Sequence, residues 1–73
     1  MKKLSELTAG GQGRVLRVAG SDDISQRLLE MGLTPGTQVR LLGVAPLGDP
    51  LELELRGYRL SIRRSEAARV DVE

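Results

Sequence analysis

A chain of 73 residues can form one domain with a thin core, since a domain of this size buries only about 60% of the surface its unfolded chain exposes. It contains no Cys and no His, and Tyr58 is its single aromatic residue, so disulfide staples, thiolate chemistry and the usual His-based triads are excluded and the core must be aliphatic. A net charge of +1, with acids and bases interspersed, provides no strong field for nucleic acid or anionic lipid, and no apolar run approaches the roughly 20 residues that cross a bilayer.

Met1-Lys2-Lys3 leads into Leu4-Ser5-Glu6-Leu7 and not into an apolar signal core, so a cytoplasmic location is expected. Glycines at 10, 11 and 13 punctuate the approach to a first strand at about Arg14 to Ala19. Gly20-Ser21-Asp22-Asp23 then carries several candidate N-caps, and Asp23 with Gln26 has the spacing of a capping box. In the helix that follows, Ile24, Leu28 and Met31 fall at i, i+4 and i+7, placing one apolar stripe toward the core and Arg27 and Glu30 largely outside.

The helix has a legible end. Gly32 suits a C′ position with a left-handed backbone, and Leu33 just beyond it can pack back on Leu28 as the apolar contact of a Schellman ending. Pro35-Gly36 supplies the fixed φ and the positive φ that the central positions of a type II turn need. Gly32, Pro35 and Gly36 are therefore structural turn residues.

From Gln38 the period changes. Residues 38–45 mix apolar neighbours as in a strand buried on both faces or bulged near Gly43, and Pro46-Leu47-Gly48-Asp49-Pro50 reads as a hairpin loop. Leu51 to Arg56 alternates cleanly, with leucines on one face and Glu52, Glu54 and Arg56 on the other. A two-residue loop at Arg56-Gly57 sets Leu55 opposite Tyr58, Glu54 opposite Arg59, Leu53 opposite Leu60 and Leu51 opposite Ile62, joining apolar to apolar and acid to base. A loop at Gly57-Tyr58 would set Arg56 against Arg59 and is disfavoured. Ser65-Glu66-Ala67-Ala68 offers one helical turn capped by Ser65, and Arg69 to Val72 a last strand. Five strands with one short α-helix after the first make an all-β, partly open barrel of the SH3 type, occupying residues 1–73 as a single domain.

No catalytic constellation remains. Asp22 and Asp23 suit the N-terminal turn of a helix, and Glu52 and Glu54 the solvent face of a strand. Met31 belongs to the apolar stripe, so no residue has metal-ligand spacing, and a metal on this chain would be carboxylate-bound or shared between chains. Arg56, Arg59, Arg63 and Arg64 cluster around one hairpin, but without a row of aromatics there is no platform for stacking bases or for gripping proline-rich peptides. No enzyme activity, no cofactor and no nucleic-acid partner is expected.

Leu4-Ser5-Glu6-Leu7, Arg27-Leu28-Leu29-Glu30-Met31-Gly32-Leu33-Thr34-Pro35-Gly36, Gly48-Asp49-Pro50 and the run from Gly57 to Ala68 together resemble FeoA, the small cytosolic protein of bacterial ferrous iron transport. The resemblance spans nearly the whole chain, departing at Ala9-Gly10-Gly11, where the family often has Pro-Gly. It implies an SH3-like domain that assists the membrane permease FeoB, whose cytosolic part carries a GTP-binding domain, without inserting in the membrane itself. A similar domain ends the iron-dependent repressors of the diphtheria-toxin-repressor type. On this reading the contact surface is the helix and the turn after it, with Leu29 and Leu33 as apolar candidates and Arg27 and Glu30 as polar ones, presented by a monomer or weak homo-oligomer. The alternative is a metal-responsive module, an iron sensor or dimerising regulator.

Overall fold

The computed structural model describes residues 1–73 and is mainly β. In chain order it runs β1 (Lys2–Lys3), a 3₁₀ turn (Leu4–Glu6), β2 (Gln12–Val18), α1 (Asp23–Glu30), β3 (Gln38–Val44), β4 (Leu51–Leu55), β5 (Tyr58–Ile62), α2 (Arg64–Ala67) and β6 (Val70–Val72). All strand pairs are antiparallel, in the order β1-β6-β2-β3-β4-β5, and the sheet does not close. The strands number six and not five, because Lys2 and Lys3 pair with Val72 and Asp71 across the length of the chain.

Two hairpins carry the main sheet. The β4–β5 register is the one that charge and polarity select, Leu55 opposite Tyr58 and Glu54 opposite Arg59. Arg56 sits at φ +52 and Gly57 at +84, the pair of positive values that matches a two-residue loop to the strand twist. Between β3 and β4 the pairing steps from Leu41–Leu53 to Gly43–Glu52, so Leu42 is the extra residue of a bulge beside Gly43. A second irregularity, where β2 meets β6 between Val15 and Arg17, coincides with Leu16 being 37% exposed.

The helix begins one residue earlier than the Asp23–Gln26 box suggests. Asp22, extended at φ −87 and ψ −177, is the N-cap, and its Oδ1 accepts from the Ser25 N–H at 3.1 Å. The inward stripe differs too. Leu28 is fully buried and Met31 half-buried, but Ile24 is 37% exposed and Ser25 takes the inward place, its hydroxyl donating to the Ala19 carbonyl. At the other end both bonds of the Schellman motif form: Gly32 N–H to Leu29 O at 3.0 Å and Leu33 N–H to Leu28 O at 3.2 Å, with Gly32 at φ +109. Thr37 N–H then closes on Thr34 O at 3.0 Å with Gly36 at φ +92, a type II turn docked on β2 by Gly36 N–H to Val15 O at 2.7 Å.

Ser65 is not the cap of α2. Glu66 reaches back so that its Oε1 accepts from the Arg63 N–H at 2.8 Å, which starts the turn at Arg64 and leaves Ser65 inside it. Thirteen buried residues form one hydrophobic core, all of them aliphatic, among them Leu4, Val15, Leu28, Leu33, Leu53 and Val72. Asp71 lies fully buried among them at the β6 position opposite Lys3, where Lys3 Nζ at 2.6 Å and Arg17 Nε at 2.7 Å satisfy its two oxygens.

Candidate partner-binding surface

The outward face of α1 carries Asp23, Ile24, Gln26, Arg27 and Glu30, with Leu29 half-buried at its margin. Arg27 is partly committed: its guanidinium pairs with Glu66 and ties α1 to α2, although 59% of its side chain remains exposed. Glu30 is exposed and outside the chain's ion pairs. Leu33 does not belong to the surface. It is 0% exposed, because the Schellman turn that ends α1 directs the residue after Gly32 into the core with Leu28. Of the four contact candidates, the structure therefore brings Arg27, Leu29 and Glu30 onto one helix and removes Leu33. Gly32, Pro35 and Gly36 occupy the turn positions that their backbone chemistry suits.

Two features of this region are long-range. The Tyr58 hydroxyl donates to the Met31 carbonyl, laying the only aromatic side chain from β5 against the C-terminal end of α1. On the far side of the type II turn, Arg56 Nη2 donates to Thr37 Oγ1 at 2.9 Å and to Thr34 Oγ1 at 3.2 Å, pinning the β4–β5 hairpin to the same segment. Tyr58 could have been found from the hairpin register, which puts it on the apolar face beside Leu55. Arg56 carries no such signal, since its partners are neutral hydroxyls distant in sequence.

The arginines near the hairpin do not form one patch. Arg56 is turned to the threonines, while Arg64 donates to Gly48 O at 2.9 Å and Ser5 O at 3.1 Å and its N–H to Asp49 Oδ1 at 2.9 Å. Most buried or perturbed carboxylates are likewise engaged. Hydrogen bonds from Arg69 and from the Ser25 N–H hold Asp22 down at about 2, and the Arg17 and Lys3 hydrogen bonds lower Asp71. Arg14 does the same for Glu73. A charged group that already has short charge-assisted bonds has little left to offer a ligand.

Elsewhere, Leu47 at the tip of the β3–β4 loop is 97% exposed, and Val44 before it is 40% exposed. Next to them an open hollow of about 260 Å³ lies over the β3 bulge, lined by Leu42, Gly43, Val44, Pro50 and Glu52 among others. An apolar residue between Pro46 and Gly48 sits among chain breakers where no core position is available, and that signal was present in the sequence.

No three His, Cys, Asp or Glu side chains converge anywhere in the chain, and no helix is long and apolar enough to cross a membrane. What the fold defines is a small SH3-like β-protein with an open antiparallel sheet. Residues 2–73 match the model of the FeoA domain, and the chain belongs to that family. Among its relatives is an Fe(2+) transport protein A/Fe(2+) transporter FeoB fusion protein from Porphyromonas gingivalis, 39% identical over 71 residues. That match covers 97% of this chain but only 8% of the fusion protein's length. It associates the family with ferrous iron transport. A FeoA-like protein from Clostridium acetobutylicum superposes with a TM-score of 0.92 at 36% identity, covering 99% of this chain and 84% of that one. The FeoA of Stenotrophomonas maltophilia, solved with zinc and described as a prokaryotic SH3 domain protein, gives 0.87 at 35% identity, covering 100% and 91%.

Proposed function

We propose that this chain is a non-enzymatic cytoplasmic accessory protein of ferrous iron uptake, which binds the cytosolic part of the FeoB permease and regulates it. The observation that carries this reading is the fusion relative, in which a segment 39% identical to nearly all of this chain is covalently joined to FeoB. A domain tethered to its partner meets it at high effective concentration, and a separate chain must replace the tether with a contact surface. The outer face of α1 suits that role: Ile24 and Leu29 provide apolar area, flanked by Gln26, Glu30 and the free part of Arg27, on a helix locked at both ends by its cap and Schellman turn.

The zinc in the Stenotrophomonas relative raises the alternative of a metal-responsive module. The donor set here does not fit a self-contained site, since there is no imidazole or thiolate and Asp22, Asp71, Glu66 and Glu73 are each bound to a cation of the chain. The accessory reading is tested by titrating the labelled chain with the FeoB cytosolic domain, with and without guanine nucleotide. Saturable binding is expected. Absence of binding at high micromolar concentration in both states, with the chain shown to be folded, overturns it.

A further inference from the structure

β5 is one of the two free edges of the sheet, and β4 is the only strand it pairs with. In a hairpin closed by a two-residue loop the residues flanking the loop exchange hydrogen bonds, and alternate pairs do so thereafter. Leu55–Tyr58, Leu53–Leu60 and Leu51–Ile62 are those pairs. The N–H and C=O of Arg59 and Ser61 therefore face away from β4. No turn, cap, loop or side chain elsewhere in the chain takes them up. The edge carries four unmet backbone groups, no proline, and Arg59 as its one charge, with few of the devices that keep sheet edges from pairing.

A second copy of the same strand, running antiparallel about a two-fold axis, can meet those four groups in only three registers, centred on Arg59, Leu60 or Ser61. Centring on Arg59 opposes two Arg59 side chains, and centring on Ser61 opposes Arg59 to Arg63. Like charges directly opposite destabilise a strand pair. Centring on Leu60 sets Arg59 against Ser61 twice, Leu60 against Leu60 and Tyr58 against Ile62, so that polar meets polar, apolar meets apolar and all four backbone groups are satisfied.

We propose that β5 is a self-complementary edge through which two copies of this chain pair antiparallel, Leu60 on Leu60, extending the sheet across the two-fold. A ladder of five residues falls short of the roughly 1,000 Å² that marks a stable interface, so the dimer is weak and forms with rising concentration. This inference does not depend on the FeoB reading.

Sedimentation equilibrium tests it, with the mass expected to rise from 7.9 kDa at micromolar concentration toward twice that at millimolar. Amide exchange at Arg59 and Ser61 is expected to slow in step. The deciding variant is Ser61→Lys, which puts the new ammonium opposite Glu52 within its own hairpin but opposite Arg59 of the second copy. The monomer's melting temperature is expected to hold or rise while dimerisation weakens at least tenfold. Adding Arg59→Glu to that variant sets opposite charges across the two-fold and is expected to restore pairing. A chain that stays at 7.9 kDa up to millimolar concentration overturns the proposal, as does a dimer indifferent to Ser61→Lys. Protection of the Arg59 and Ser61 amides only on adding the FeoB cytosolic domain, with no self-association, overturns it in favour of a strand from that partner.

Discussion

Replacing Gly32 by alanine tests whether the junction between α1 and the type II turn is set by backbone chemistry and by Tyr58. At φ +109 an L side chain is strained by about 1–2 kcal/mol. The new methyl would also collide with the Tyr58 hydroxyl and lie 3.3 Å from Leu55 Cδ1. The hydroxyl is the end of a side chain that can swing aside, but only by giving up its bond to the Met31 carbonyl, a net loss of about 0.5–1.5 kcal/mol. The sum is about 2–3 kcal/mol, which for a domain of 60–100 residues lowers the melting temperature by about 10–20 °C. Urea unfolding, with an unchanged m-value, measures the same quantity. A second variant separates the two causes. In a Tyr58→Phe background the collision and the hydrogen bond are both absent, so Gly32→Ala should lose only the backbone part, about 1–2 kcal/mol. A loss below about 1 kcal/mol in the parent, or an equal loss in both backgrounds, refutes the reasoning.

The other predictions concern burial, charge and binding. Leu33→Ala should cost about 2–5 kcal/mol as a core deletion while Leu29→Ala on the helix margin costs about 1, and chemical denaturation that ranked them the other way would contradict the burial assignment. Glu30→Lys should leave the melting temperature within a few degrees and weaken FeoB binding in the titration, since Glu30 is exposed and outside the chain's ion pairs. Asp22 at about 2 lies below its unfolded value of about 3.9, so the unfolded chain takes up the proton first. Its stabilisation is complete above about pH 4 and is lost as pH falls through about 2, in the same direction as the lowered Asp71 and Glu73. Asp22→Asn keeps a good N-cap but removes the negative charge that faces Arg69, so the drop in urea midpoint between pH 5 and 2 should become smaller; an unchanged drop would exclude Asp22 from the acid limb.

What was legible in the sequence divides by the distance over which the deciding chemistry acts. The β4–β5 register and the end of α1 are each settled by residues close in sequence, through cross-strand charge or dihedral preference, and the structure reproduces both; of the two readings open for β3, buried on both faces or bulged near Gly43, it shows the bulge. The sixth strand, the buried Asp71 with its two cations, and the Arg27–Glu66 tie join residues 39 to 70 positions apart. No local pattern announces them, because Lys3, Arg17 and Arg27 look like any solvated charge until the fold closes. The two errors on α1 share a cause. Ile24 fits a helical stripe but lies in the first turn, where Ser25 turned inward can bond the Ala19 carbonyl and Arg69 can donate to both Ser25 and Asp22, so polar closure wins over apolar spacing.

Leu33 is the more instructive case, since the motif that identifies the turn also decides the residue's fate. An apolar contact back onto the helix commonly accompanies a Schellman ending, and here Leu33 folds into the core with Leu28, so it does not also face a partner. The groups left for recognition are those that the backbone motifs do not use. On α1 those are Ile24, Leu29, Glu30 and the exposed part of Arg27, held on a short helix whose two ends are fixed by hydrogen bonds. On β5 they are not side chains at all but the outward amides and carbonyls of Arg59 and Ser61, which lie on a different element from the helix. Glu30→Lys and Ser61→Lys should therefore act independently, the first on FeoB binding alone and the second on self-association alone. Loss of both activities in either single variant would mean that the two surfaces are one.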